Sequence, residues 1–111
     1  MNSFEKLKQN YEFRRAYNKG AVAVTPYFVL YTVKGRKGRM RMGLTVSRKF
    51  GNAVKRNRAK RLITAAFSEN LAFLNAGYDY VFVARTKILS VKSTAVSAAL
   101  RGITEQAAFG L

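Results

Sequence analysis

Seven of the fifteen residues in the run Ser47-Arg48-Lys49-Phe50-Gly51-Asn52-Ala53-Val54-Lys55-Arg56-Asn57-Arg58-Ala59-Lys60-Arg61 are cationic, and none is acidic. Cations gathered this way suit a polyanion, because each one that meets a phosphate releases a condensed counterion. Gly51-Asn52 reads as a turn, with Asn52 offered as the cap of a helix that follows. Lys55, Arg56 and Arg58 then fall in the first turns, where exposed bases oppose the helix dipole at roughly 0.3–1 kcal/mol each. A sequence built only for stability would place acids there. Bases make sense if phosphates arrive, since free backbone N–H groups and guanidinium forks then serve the same anion. At about 100° per residue, Arg56 and Lys60 flank one side of the apolar stripe and Arg58 and Arg61 the other. The bland alternative is a solvated basic helix, and composition cannot separate RNA from DNA.

The remaining chemistry is sparse. There is no histidine and no cysteine, which excludes disulfides, thiol chemistry, zinc-finger ligation and the usual general base near neutral pH. The five carboxylates are Glu5, Glu12, Glu69, Asp79 and Glu105, and no two are close in sequence. A protein nuclease needs clustered acids for Mg²⁺ or a histidine to move protons, so the chain is expected to have no catalytic residue and no metal site of its own. Between Glu12 and Glu69 there is no acid at all, while 15 of the 21 Lys and Arg residues lie there. An ordinary solvated surface mixes both signs.

A second group is aromatic. Phe13 and Tyr17 are four apart and share a helix face. Tyr27, Val29, Tyr31 and Val33 alternate on one strand face, with Phe28, Leu30 and Thr32 on the other. Rings flanked by bases suit single-stranded RNA, whose bases stack without sequence selection. The alternative for each ring is a place in the core.

The elements that position these groups follow from pattern. Asn10 is the expected cap of a short helix carrying Phe13, Ala16 and Tyr17 and stopped by Gly20. Val22 to Val33 reads as extended strand divided by Pro26, giving either separate strands at Val22 to Thr25 and Tyr27 to Val33 or an edge with a bulge, and Arg39 to Val46 is the returning strand after the Lys34–Gly38 turn. A long helix from about Ala53 to Leu74, ended by Gly77, buries Ala59, Leu62, Ile63, Ala66 and Phe67. Tyr78 to Ala84 is near-continuously apolar and therefore a central strand. A last helix, Lys92 to Phe109, buries Val96, Ala99, Leu100, Ile103 and Ala107. The sum is an α+β two-layer sandwich, a mixed four-stranded sheet packed with helices in the order α-β-β-β-α-β-α, forming one domain over residues 1–111.

The net charge of +16 repels further copies of the chain, so a monomer is expected in the absence of RNA. No apolar run has transmembrane length and Met1 to Asn10 alternates charge with apolar residues, so no membrane partner and a cytoplasmic location are expected.

The run GLTVSRKFGNAVKRNRAKRLI, Gly43 to Ile63, closely resembles the signature of the bacterial ribonuclease P protein, in which an Arg-Asn-Arg motif begins a long helix after a strand and a Ser-Lys-Lys-like turn. EFRRAYNKG and YFVLYTV resemble the family's first helix and next strand, so the likeness spans about Leu7 to Ala84. The C-terminal third matches only in pattern. Thr64, Ala65 and Ser68 stand where family members usually continue with bases, which implies fewer RNA contacts along the distal turns. The resemblance implies the protein subunit of a ribonucleoprotein that removes the 5′ leader of precursor tRNA, with catalytic Mg²⁺ held by the RNA subunit. It implies RNA contacts at Arg48, Lys49, Asn52, Lys55, Arg56, Asn57, Arg58, Lys60 and Arg61, and a leader cleft at Phe13, Tyr17 and Tyr31. It also implies a left-handed strand-helix-strand crossover, against the usual hand. The rival is a ribosomal or other structural RNA-binding protein. An autonomous nuclease or a DNA-binding protein fits less well, given the missing catalytic groups and the absence of a helix-turn-helix pattern.

Overall fold

The computed structural model describes residues 4–104. Its elements are β1 (Glu5–Lys6), α1 (Asn10–Lys19), β2 (Ala21–Val24), β3 (Phe28–Lys34), β4 (Met40–Thr45), α2 (Ala53–Glu69), β5 (Tyr78–Ala84) and α3 (Ser93–Thr104). The sheet has five strands in the order β1-β4-β5-β3-β2. The expected count of four missed β1, a two-residue strand paired parallel to Arg41 and Met42. So short a strand carries no alternation to read, and it exists because the open edge of β4 accepts it. β5 is central as expected, parallel to β4 and antiparallel to β3.

The expected two layers are also corrected, because helices cover both faces. Phe28, Leu30, Met42, Tyr80 and Phe82 point to one face and pack under α2 and α3 with Ala59, Ile63, Phe67, Val96 and Leu100. The opposite face carries Val33 and Val81, which meet Leu7 and Ala16 beneath α1. A strand with two apolar parities needs cover on both sides, and α1 supplies the second.

Local departures have local causes. Gln9, not Asn10, caps α1, and the Glu12 carboxylate reaches back to accept the Gln9 N–H at 3.3 Å. Helix α2 stops at Glu69 rather than Leu74 because Asn70 turns inward. Its buried amide donates to the Ala66 carbonyl at 2.8 Å and to Ser97 Oγ at 3.0 Å, tying the helix end to α3. Gly77 instead serves the turn into β5 with φ of 89°. The expected turns of the last helix beyond Thr104, including Ala107, lie outside the described residues.

Candidate nucleic-acid interface

The basic segment is held rigidly at the end of β4. Ser47 Oγ accepts the Lys49 N–H at 3.3 Å, opening a 3-10 turn over Arg48–Phe50. Phe50 is buried in the main core and anchors that turn. Gly51 follows at φ 85°, a conformation other side chains rarely adopt. Asn52 then caps α2 as expected, its Oδ1 accepting the Lys55 N–H at 3.0 Å.

The cations fall into three settings. Arg56 folds back to donate to the Gly51 carbonyl at 2.9 Å, bracing its own turn. Arg58 donates to the Val91 carbonyl at 3.2 Å, reaching the segment before α3. Arg48, Lys49, Lys55, Lys60 and Arg61 are exposed, as are Asn52 and Asn57. Among the described residues none of these seven cations pairs with a carboxylate. Further along α2, Thr64 and Ala65 are half-buried and only Ser68 is exposed.

Lys60 points away from Arg58, as the helical wheel implies, and lines a groove of about 570 Å³ with Phe13, Arg14, Tyr17, Thr45 and Val46. Three contacts between α1 and β4 shape this groove. Arg41 holds Glu12, Phe13 lies over Gly43, and the Tyr17 hydroxyl hydrogen-bonds Thr45 Oγ1 at 2.6 Å. A Cβ built on Gly43 would stand 2.7 Å from Phe13 Cε1, so glycine is what lets the ring sit there. Tyr17 meets Tyr31 edge to face, with centroids 5.0 Å apart. Phe13 and Tyr31 are half-buried against the small cluster under α1, and Tyr17 is 36% exposed. The rings are therefore brought together, packed on one side and open on the other.

An ion cluster beneath α1 escaped the sequence. Arg41 grips Asp79 with two bonds of 2.8 Å and donates to Glu12 at 2.6 Å, while Arg15 approaches Asp79 at 3.8 Å. The available signal was a charge at the second position of each of two otherwise apolar strands, MRMGLT and YDYVFVA. Burial raises the Glu12 carboxyl, but bonds from the Gln9 and Lys8 backbone and the Arg41 guanidinium outweigh it and hold it below the ordinary value. Bonding to Asp79 raises Arg41 against its own desolvation. These acids are spent on an arginine. Among the described residues no three metal-ligating side chains come together.

The ribonuclease P family model matches residues 1–108. The chain belongs to the ribonuclease P protein family. The ribonuclease P protein component of Clostridium beijerinckii is 37% identical over 109 residues, covering 92% of this chain and 87% of that protein. That of Shouchella clausii is 38% identical over 108 residues, with 96% and 88% covered. The fold agrees. The RNase P protein from Thermotoga maritima superposes with a TM-score of 0.80 at 28% identity, covering 91% of this chain and 96% of that one. For the Staphylococcus aureus RNase P protein the values are 0.73 and 28%, with 90% and 92% covered. Ribonuclease P proteins serve 5′ maturation of tRNA in an endoribonuclease whose catalytic centre is RNA. The rival assignment to a ribosomal protein falls away.

Proposed function

We propose that α2 and the turn before it dock the catalytic RNA subunit, and that the aromatic groove receives the single-stranded 5′ leader of precursor tRNA. Arg48, Lys49, Asn52, Lys55, Arg56, Asn57, Arg58 and Arg61 serve the RNA subunit. Phe13, Tyr17 and Tyr31 offer stacking surfaces to leader bases, and Lys60 stands between the two sets. The observation that carries this division is the groove itself. Phe13 and Tyr17 line it, Tyr17 is held edge to face by Tyr31 behind it, and Arg14 and Lys60 make it basic, a combination that suits a flexible strand with alternating bases and phosphates.

The protein's part is binding and orientation, and Mg²⁺ chemistry belongs to the RNA subunit. The chain acts as one domain, monomeric without RNA, in the cytoplasm. No helix among the described residues is long and apolar enough to cross a membrane. The β4-α2-β5 unit is the one that takes the family's left-handed crossover. Reconstitution tests the proposal. Protein freed of RNA should not cleave precursor tRNA in Mg²⁺, yet should stimulate a ribonuclease P RNA at moderate salt. Cleavage by the protein alone would overturn it.

A further inference from the structure

We propose that Arg85, Lys87 and Lys92 form a second wall of the RNA-subunit interface, contacting its phosphodiester backbone beside the start of α2. This rests on the assignment of α2 to the RNA subunit and extends it to a part of the chain 24 or more residues beyond Arg61 in sequence.

Register brings the two walls to one end of the sheet. Thr45 at the end of β4 pairs with Val83, and Ala84 pairs with Phe28, so residues 85–92 leave the sheet where the basic turn does. Arg58 ties them directly through the Val91 carbonyl. The segment is also fixed. Ile88 is fully buried in the main core, Ser90 Oγ donates to the Lys87 carbonyl at 2.7 Å, and the Arg85 N–H donates to Tyr27 at 2.9 Å. Arg85 Nη1 donates to the Thr25 carbonyl at 3.1 Å, which orients the guanidinium and leaves its other N–H groups for a partner. Beside it lies a cavity of about 490 Å³ whose charged lining residues are Arg85 and Lys87.

Charge segregation names the partner. All four acids among the described residues lie elsewhere. Glu5, Glu12 and Asp79 gather round Arg39 and Arg41 near the start of β4, and Glu69 closes the far end of α2. The end of the sheet that carries Arg48, Lys49, Lys55, Arg56 and Arg58 therefore adds three more cations with no acid among them. A solvated surface would mix signs. A face of one sign, continuous with the basic helix, fits an extended polyphosphate that runs across both.

The test is binding of ribonuclease P RNA, without substrate, over a series of salt concentrations. Lys87→Ala with Lys92→Ala should leave melting unchanged, since neither side chain makes an intramolecular bond. It should flatten the slope of log affinity against log salt by about 1.8, for two contacts at roughly 0.9 each. Arg36→Ala with Lys37→Ala removes equal charge from the opposite end of the sheet and should leave the slope unchanged. Equal flattening by both pairs would reduce the effect to net charge and overturn the proposal. Flattening by Arg56→Ala with Arg58→Ala alone would overturn the second wall while sparing the first. Flattening by no pair would overturn both.

Discussion

Arg41 and Asp79 face each other across neighbouring parallel strands, joined by two hydrogen bonds of 2.8 Å, with the Asp79 side chain only 1% exposed. The pair carries α1, because the third arm of the guanidinium holds Glu12. Removing one partner leaves the other charged and buried, which costs about 3–5 kcal/mol. Arg41→Met should therefore lower the melting temperature by roughly 12 °C or more, measured calorimetrically. A change within a few degrees would show that α1 is held by its apolar contacts alone.

Glu12 gives the same cluster a pH signature. Its folded value is depressed, so its contribution to stability is present above the ordinary carboxylate value of 4.5 and fades as pH falls through the lower folded value. Denaturant midpoints measured downward from pH 6 should fall more steeply for the wild type than for Glu12→Gln. Parallel curves would remove Glu12 from the acid limb.

The groove should act on the leader alone. Stacking contributes about 1–3 kcal/mol per base and depends weakly on salt. Tyr17→Ala or Tyr31→Ala should weaken binding of leader-bearing precursor tRNA to the holoenzyme by roughly 5- to 150-fold. Mature tRNA should be bound as before, and the salt slope should be kept. Tyr→Leu at the same positions retains apolar bulk and controls for packing. Equal losses for precursor and mature tRNA in folded variants would return the rings to the core.

Gly43→Ala probes the groove without replacing any of its rings. The new methyl group displaces Phe13, at an overpacking cost of about 1–3 kcal/mol. Affinity for precursor should drop while binding to the RNA subunit is unchanged. A variant that binds precursor normally would show that Phe13 need not lie over β4.

The basic helix should respond to salt. With six to ten phosphates neutralised, affinity for RNA should fall by about 10³–10⁵ between roughly 50 and 200 mM salt. Arg56→Ala with Arg58→Ala should flatten that dependence. Because both arginines also hold backbone carbonyls, melting must be followed alongside. An unchanged slope would leave them only the bracing of Gly51 and Val91.

The sequence by itself determined the polyanion partner and most of the elements. These are local or additive properties. Charge sums along a chain, Asn52 caps the residue three ahead of it, and the apolar spacing of Ala59 to Phe67 fixes a helix face whatever packs on it. Tertiary structure decided which contacts close over long separations. Arg41 was one base among 21 until the fold set Asp79 and Glu12 around it, 38 and 29 residues away. The second face of the sheet became core only once α1 lay across it. Residues 85–92 joined the basic end because β5 runs parallel to β4 and finishes beside it. Strand pairing between distant segments obeys no short-range periodicity, so no pattern in the chain announced these neighbours.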